Sequence, residues 1–205
     1  FLPPTALKLM RSYHMTAGRL PILSVRTIAS GGEALGSSLL SWARKNLNVE
    51  VNEIYGQTEC NLVICTDRSV NKTVPDGVMG KAVPGHKLCI LTPDGHEAEI
   101  GEVGEIAVQA PDPVMFLGYW NKPEDTQQKI KQGWLLTGDL GRQDENGFFS
   151  FVARDDDIIT SSGYRIGPTE IENCLMQHPS VSLAAVIGLP DPIRTETVTA
   201  CIVLT

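Results

Sequence analysis

The strongest constraint on the fold is a strand–helix–strand pattern in residues 25–54. Residues 25–29 form a β-patterned run that leads into Ser30-Gly31-Gly32-Glu33, and residues 49–54 form a second such run. Between these runs, apolar residues recur at helical spacing: Leu35, Leu39, Ala43 and Leu47. This order predicts a βαβ unit with parallel strands, in which ligand sites lie beyond the carboxyl ends of the strands.

Residues 55–59, with the sequence Tyr-Gly-Gln-Thr-Glu, follow the second of these strands. An aromatic ring, a glycine, a hydroxyl and a carboxylate suit a base, a close backbone approach, a phosphate and Mg²⁺ respectively. Two simpler interpretations stay open. The segment can be a solvated loop, or it can begin a helix with Thr58 as N-cap and Glu59 in the first turn. Gly31 and Gly32 likewise fit either an ordinary turn or a surface for a flat ligand.

The rest of the chain shows two different sequence patterns. Short β-like runs at residues 87–91, 105–109 and 148–152 are separated by turn signals, which predicts a small antiparallel sheet or barrel. Beyond Asp156 come a β-pair, a helix that opens at Pro168, and two further strands. We therefore predict an α/β fold with α+β parts. Residues 1–82 would end a parallel-sheet subdomain, residues 83–155 would form an antiparallel β-barrel-like subdomain, and residues 156–205 would begin a small mobile α+β domain.

Two acidic segments are candidates for function. In Thr137-Gly138-Asp139, the carboxylate follows a tight turn and could accept hydrogen bonds from a ribose diol, although an ordinary turn explains it equally. In residues 154–157, three acids follow Arg154, which indicates either a hinge or an exposed linker. The segment 161–165 then supplies a glycine suited to positive φ and an arginine suited to phosphate.

Composition excludes several classes of protein. The chain has 205 residues, 42% hydrophobic content and a formal net charge of -7, which fits a globular protein and argues against a nucleic-acid-binding surface. No apolar run is long enough to span a membrane. The five cysteines lack zinc-ligand spacing and do not suggest a disulfide framework. We expect a cytoplasmic location in a bacterium, with the mitochondrial matrix as the alternative.

In order and spacing, these segments resemble the AMP-forming acyl-CoA synthetases of the adenylate-forming superfamily. The resemblance covers nearly the whole chain and is carried by four motifs: Tyr-Gly-Gln-Thr-Glu at 55–59, Thr-Gly-Asp at 137–139, Arg-x-Asp-Asp from Arg154, and Ser-Gly-Tyr-Arg at 162–165. Gly-Tyr-Trp at 118–120 and His-Pro-Ser-Val at 178–181 are further family-like signatures. The medium-chain branch is the most similar, mainly through residues 162–165 and 191–194.

The resemblance implies an acid–thiol ligase. Such an enzyme activates a carboxylic acid as acyl-AMP with release of pyrophosphate, and then transfers the acyl group to coenzyme A. The expected acid is a medium-chain fatty acid or an aromatic acid. ATP, Mg²⁺ and coenzyme A are the implied cofactor and co-substrates, and a small-molecule acid is the other partner.

The resemblance also assigns roles to individual residues. Thr58 and Glu59 are the implied catalytic residues, with Thr58 on the α-phosphate and Glu59 as Mg²⁺ ligand. Asp156 is the implied hinge. The other nucleotide-binding residues are Gly31, Gly32, Glu33, Tyr55, Gly56, Gln57, Asp139, Arg154 and Arg165. The implied coenzyme A contacts are Ser162, Gly163, Tyr164 and Arg194.

Three further expectations follow from the resemblance. The family's phosphate loop and adenylation lysine are expected upstream of Phe1 and downstream of Thr205, so that the chain alone would be inactive. Gly56 matches a position that holds Trp in acetate-specific relatives, which implies an acyl pocket for longer acids. The alternatives are a ligase with another acceptor, either a carrier-protein thiol or a luciferase-like reaction, and a non-catalytic nucleotide-binding module.

Overall fold

The computed structural model describes residues 1–18, 24–33, 35–68 and 73–204. The described residues form two compact units. The first unit comprises Phe1–Cys89, Ala107–Thr137 and Gln143–Ser150, and the second comprises Ile90–Ile106, Gly138–Arg142 and Phe151–Thr205. The predicted division at residues 82 and 155 stays a prediction.

The predicted βαβ unit is present in the first unit. Strand β1 (Thr27–Gly31) pairs in parallel with β2 (Glu50–Gln57), and helix α2 (Ser37–Leu47) connects them. The sheet continues with β3 (Asn61–Cys65) and β4 (Lys81–Ala82), in the order β1-β2-β3-β4. The helix α1 (Pro4–Ala17) precedes β1. Burial of apolar surface between helices and sheet stabilises this unit, through a core of Leu7, Ile28, Leu35, Leu39, Leu40, Ala43, Val49 and Val51.

Strand β2 is longer than the sequence pattern predicts. It continues through Tyr55 and Gly56 to Gln57, and its pairing with β3 is irregular between Tyr55 and Gly56. The turn at residues 58–60 then leads into β3. Tyr55 and Gly56 therefore lie at the end of the strand rather than beyond it. Pairing with β3 gives these residues a more fixed position than a loop would.

An antiparallel, curled sheet follows, as the short β-like runs and turn signals predict. It contains β5 (Leu88–Leu91), β6 (Gly104–Gln109), β8 (Trp134–Gln143) and β7 (Ile130–Lys131) in that order, and β9 (Phe149–Arg154) pairs with β8. The short helix α3 (Pro123–Lys129) precedes β7. Its proline in the first turn and acidic residues at its start favour helix formation there.

The second unit contains a third sheet, with strand order β11-β10-β13-β12. Its strands are β10 (Ile159–Ser161), β11 (Tyr164–Ile166), β12 (Val181–Asp191) and β13 (Thr195–Leu204). Helix α4 (Pro168–Leu175) packs beside β12, where the Glu172 carboxylate accepts a hydrogen bond from the Val186 N–H at 2.9 Å. Asp155–Asp157 form one 3₁₀ turn before β10. The β-pair, the helix and the two strands predicted for this part of the chain are all present.

Within the described residues, no helix is both long and apolar enough to cross a lipid bilayer.

Candidate nucleotide site

A surface cavity in the first unit brings together several predicted ligand residues. It lies where β1 and β2 end, and its lining consists of Phe1, Gly31, Gly32, Ile54, Tyr55, Gly56, Gln57, Asn61 and Leu62. Five of these residues are nucleotide ligands implied by the family resemblance: Gly31, Gly32, Tyr55, Gly56 and Gln57. The location agrees with the expectation that ligands bind at the carboxyl ends of parallel strands.

Close backbone approach explains two of the glycines in this cavity. A Cβ atom at Gly31 would lie 2.3 Å from the carbonyl oxygen of Ile54, and one at Gly56 would lie 1.6 Å from that of Asn61. Neither position has room for a side chain. Gly32 is different, because it has a φ of +99° and open space around the missing Cβ.

This packing gives Gly56 a structural role of its own. The Asn61 carbonyl oxygen occupies the space where a side chain at position 56 would begin. A Trp at this position would therefore displace the β2–β3 connection before it could fill an acyl pocket. The acyl-pocket assignment stays a prediction, but Gly56→Trp is an unsuitable test of it.

The segment 55–59 contacts the Thr-Gly-Asp segment within the first unit. The side-chain Nε2 of Gln57 donates to the carbonyl oxygen of Thr137 at 3.1 Å, and Lys129 Nζ donates to the same oxygen at 3.1 Å. Thr137 is fully buried. The first residue of Thr137-Gly138-Asp139 is thus held by the motif that carries Tyr55.

Glu59 is held by the Gly-Tyr-Trp segment. Its main-chain oxygen accepts a hydrogen bond from the Phe116 N–H at 2.8 Å, and its Oε1 accepts one from the Tyr119 hydroxyl at 2.5 Å. Burial, together with the hydrogen bond to Glu59 and its charge, raises the pKa of Tyr119 to about 12. The phenol therefore keeps its proton and acts as the donor. Thr58 is exposed beside Glu59 in the same turn.

The Glu59 site fits a magnesium ion that is held mainly by phosphate. Among the described residues, no three His, Cys, Asp or Glu side chains are grouped so that they could hold a metal by themselves. Mg²⁺ commonly keeps several waters and uses only one or two carboxylates in addition to substrate phosphates. A single, partly exposed carboxylate such as Glu59 has the oxygen chemistry required for that arrangement.

In the second unit, Arg154 joins two of the predicted functional carboxylates. Its Nη1 lies 3.1 Å from Asp139 Oδ1, and its Nε lies 3.2 Å from Asp156 Oδ1. Asp139 is only 5% exposed, which favours a fixed position for its carboxylate. The Gly138 N–H beside it donates to Glu105 Oε1 at 2.7 Å, and Gly138 has a φ of +77°. The predicted nucleotide ligands Asp139 and Arg154 therefore contact each other, and Arg154 also contacts the predicted hinge residue Asp156.

The predicted coenzyme A residues also lie together in the second unit. Ser162 and Gly163 form the turn between β10 and β11, with φ values of 51° and 84°. The Ser162 N–H donates to the carbonyl oxygen of Arg194 at 2.8 Å, and Tyr164 is 73% exposed. Arg165, which is also exposed, pairs with Asp155 at 2.8 Å. The turn glycine at positive φ agrees with the sequence prediction.

Glu33 makes its contacts away from the cavity lining. Its carboxylate accepts hydrogen bonds from Thr5 Oγ1 at 2.7 Å and Lys8 Nζ at 2.9 Å, both on α1. The hydrogen bond from Lys8, and then that from Thr5, lower the pKa of Glu33. Its implied role as a nucleotide ligand stays a prediction.

Sequence reasoning missed several residues that support the site. Thr5 and Lys8 anchor Glu33, Lys129 contacts Thr137, and Glu105 holds the Gly138 turn. Most of these contacts join residues far apart in sequence, and no local sequence pattern predicts them. Tyr119 is the exception, because the Gly-Tyr-Trp signature contains it.

Comparison with known proteins identifies the family. The sequence profile described as AMP-binding enzyme matches residues 1–120, and the profile described as AMP-binding enzyme C-terminal domain matches residues 170–205. The chain belongs to the AMP-binding enzyme family. This confirms the resemblance to AMP-forming acyl-CoA synthetases that the motifs indicated, and it confirms the fold class.

Individual relatives agree with this assignment. The mitochondrial acyl-coenzyme A synthetase ACSM3 of Rattus norvegicus is 40% identical over 204 residues, which cover 98% of this chain and 34% of that protein. The anthranilate CoA ligase AuaEII, solved with anthranoyl-AMP, matches with a TM-score of 0.88 and 28% identity over 99% of this chain and 38% of its own. The amide bond synthetase McbA from Marinactinospora thermotolerans matches with a TM-score of 0.88 and 31% identity over 100% of this chain and 42% of its own. The chain thus spans about a third of the length of the curated relative.

Proposed function

We propose that this chain supplies nucleotide-binding and acyl-transfer elements of an ATP-dependent acid–thiol ligase. The observation that carries the proposal is the cavity formed by Gly31, Gly32, Tyr55, Gly56 and Gln57 within the AMP-binding family match. An aromatic ring beside open glycine backbone suits a flat purine, and the adjoining turn presents a hydroxyl and a carboxylate.

The reaction has two steps. First, a carboxylate oxygen of the acid attacks the α-phosphorus of ATP, and the bond from that phosphorus to the pyrophosphate oxygen breaks. Then the sulfur of coenzyme A bonds to the activated carbonyl carbon, the thiol proton is lost, and the bond to the AMP oxygen breaks. Positioning and electrostatic stabilisation are the main contributions expected of the protein.

The first unit would act in the first step. Tyr55 would stack on adenine, and the Thr58 hydroxyl would donate to an α-phosphate oxygen as negative charge develops there. Glu59, oriented by Tyr119, would hold Mg²⁺. When bound, the ion would offset the negative charge of the phosphates.

The second unit would hold the ribose and coenzyme A. The Asp139 carboxylate would accept hydrogen bonds from the ribose hydroxyls, while the contact with Arg154 holds that carboxylate in place. Ser162, Gly163, Tyr164 and Arg194 would contact coenzyme A. Asp156 would be the hinge between the two steps, because Arg154 links it to the ribose ligand and exposed turn residues absorb backbone rotation most easily.

We propose a medium-chain or aromatic acid as the substrate. The names of two relatives support this choice, one as a member of the ACSM acyl-coenzyme A synthetases and the other as an anthranilate ligase. A bacterial cytoplasm or a mitochondrial matrix is the proposed compartment, and the mitochondrial relative fits the second.

A second candidate function differs in the molecule that accepts the acyl group from acyl-AMP. McbA, which matches the whole of this chain, is named an amide bond synthetase. An acceptor other than coenzyme A would use the same acyl-AMP.

The test is a two-stage assay on the full-length protein. Pyrophosphate release is measured with ATP, Mg²⁺ and a series of acids, and acyl transfer is then measured with and without coenzyme A. Thr58→Ala should slow acid-dependent pyrophosphate release by about 100-fold, as loss of one transition-state donor does. The matched control is Thr92→Ala, in an exposed turn, which should leave the rate unchanged. Absence of acid-dependent release would overturn the proposal, and release followed by transfer to an amine alone would favour the second function.

A further inference from the structure

The loop between β12 and β13 is held in shape by one carboxylate. Asp191 Oδ1 accepts hydrogen bonds from the backbone N–H groups of Ile193 at 2.9 Å and Arg194 at 2.7 Å. Asp191 Oδ2 accepts a further one from the Thr197 hydroxyl at 3.2 Å. Aspartate commonly orders a turn in this way, by bonding backbone groups that follow it in sequence. The loop therefore has a defined shape although the Ile193 side chain is 91% exposed.

The residue after this loop has a strained backbone. Thr195 has a φ of 74°, in the left-handed region that favours glycine and that a β-branched residue rarely adopts. Such a conformation persists only where the surrounding structure determines it. The Asp191 hydrogen bonds lie on one side of Thr195, and its pairing with Ser161 of β10 supplies a second constraint. Because strain of this kind is concentrated at functional sites, the loop is a candidate for function.

The loop is joined to the turn between β10 and β11. The carbonyl oxygen of Arg194 accepts a hydrogen bond from the Ser162 N–H at 2.8 Å, so the two turns share a backbone contact within the second unit. These two turns carry all four of the residues that we propose as contacts of coenzyme A: Ser162, Gly163, Tyr164 and Arg194.

We propose that Asp191 is a positioning residue for coenzyme A, which holds the Arg194 backbone and thereby keeps the two turns in the arrangement that receives this ligand. The inference rests on the proposed function, since it concerns the acceptor of the second step. Asp191 acts through the backbone of residues 193–195, and its carboxylate is already engaged by the loop itself.

The loop is ordered before coenzyme A binds, and this order is what would affect affinity. A surface that is already ordered loses less conformational entropy when its ligand binds. Without Asp191, coenzyme A itself would have to order residues 192–194. That cost falls on coenzyme A binding and leaves the first step, which uses no coenzyme A, unchanged.

The charge of Asp191 strengthens the contacts of the loop. The hydrogen bonds from the N–H groups of Arg194 and then Ile193 lower the pKa of Asp191, so the carboxyl is ionised at neutral pH. An ionised acceptor forms stronger hydrogen bonds than a neutral one. Asparagine at this position would keep an acceptor of similar geometry but lower strength, whereas alanine would keep none.

The experiment separates coenzyme A binding from acyl-AMP formation in the full-length protein. Thioester formation is measured at increasing coenzyme A concentration, and acid-dependent pyrophosphate release is measured without coenzyme A. Asp191→Ala should raise the KM for coenzyme A about tenfold, as the net loss of one to two hydrogen bonds would. The kcat for thioester formation and the rate of pyrophosphate release should stay the same. Asp191→Asn should restore the KM to within about threefold of the unaltered protein.

Asp144→Ala is the matched control. Asp144 Oδ1 accepts hydrogen bonds from the N–H groups of Asn146 at 2.9 Å and Phe148 at 2.8 Å, in the turn between β8 and β9. This variant loses the same kind of contacts at a turn of the first unit, and its KM for coenzyme A should equal that of the unaltered protein. An equal rise of the KM in Asp144→Ala and Asp191→Ala would overturn the positioning role, because the KM would then report general stability.

The outcomes distinguish the two proposals. If the unaltered protein releases pyrophosphate but forms no thioester with coenzyme A, the proposed function fails at its second step. If it forms the thioester and Asp191→Ala has an unchanged KM, or Asp191→Asn is as impaired as Asp191→Ala, only the positioning role fails. Should Asp191→Ala not fold, deuterium exchange in the unaltered protein decides. The Arg194 and Ser162 amides should be protected before coenzyme A is added, and exchange as fast as in an unstructured peptide would overturn the role.

Discussion

The burial of Glu53 makes the stability of the protein depend on pH in a direction that can be worked out. The folded protein raises the pKa of this carboxyl from 4.5 to about 7 because the charged form loses water on burial. Well below pH 4.5 the group is protonated in both the folded and the unfolded protein, so its ionisation does not affect the free energy of unfolding. As the pH rises from 4.5 to about 7, the unfolded protein ionises first, so the free energy of unfolding falls.

The magnitude follows from the two pKa values. Each pKa unit corresponds to about 1.4 kcal/mol, so ionised Glu53 lowers the free energy of unfolding by roughly 3 kcal/mol once the pH is well above 7. At pH 5 the same relation gives a loss of about 1 kcal/mol. Glutamine has nearly the same shape and no charge. The free energy of unfolding of Glu53→Gln, measured relative to that of the unaltered protein, should therefore rise by about 2.5 kcal/mol between pH 5 and pH 8.

Urea unfolding followed by circular dichroism checks this prediction. Both proteins are unfolded at pH 5, 6, 7 and 8, and only the difference between them is interpreted, since all other ionisable groups are common to both. Glu53→Met serves as a control for charge, because it should show the same pH trend at a lower overall stability. A stability difference that is constant with pH, or one that grows as the pH falls, refutes the reasoning.

Three further predictions concern single contacts. Ser30→Ala removes a buried hydroxyl that has no hydrogen-bond partner among the described residues. The free energy of unfolding should therefore stay the same or rise by up to about 1 kcal/mol, and a clear loss in urea unfolding would show that the hydroxyl is bonded. Gly56→Ala should lower the free energy of unfolding by more than about 3 kcal/mol, because the added Cβ would lie 1.6 Å from the Asn61 carbonyl oxygen. A melting temperature like that of the unaltered protein would contradict this packing. Tyr119→Phe removes the hydroxyl that orients Glu59, and about a tenfold higher Mg²⁺ concentration should then be needed for half-maximal pyrophosphate release; an unchanged Mg²⁺ dependence would rule out that orienting role.

The sequence predicts the parts of the fold that have a local signature. The βαβ unit follows from helical spacing between two β-patterned runs, and the turn at Ser162 and Gly163 follows from a glycine suited to positive φ. Helix α1 has no comparable signal. Its sequence is only weakly amphipathic, since Leu7 is buried while Leu9, Tyr13 and Met15 are exposed.

The candidate site was predictable as a set of residues but not as a set of contacts. Gly31, Tyr55 and Gln57 were expected to be ligands, and they line one cavity. The contact of Gln57 with Thr137 joins residues 80 positions apart, and nothing near either residue indicates it. The need for glycine at position 56 likewise arises from the position of Asn61, which depends on the irregular β2–β3 pairing.

The most direct test of the account is a crystal structure of the full-length protein with bound AMP. We expect adenine beside Tyr55 and the backbone of Gly31 and Gly32. AMP bound at a different surface, with the Tyr55 cavity empty, would contradict the assignment of this chain as the nucleotide-binding part of a ligase.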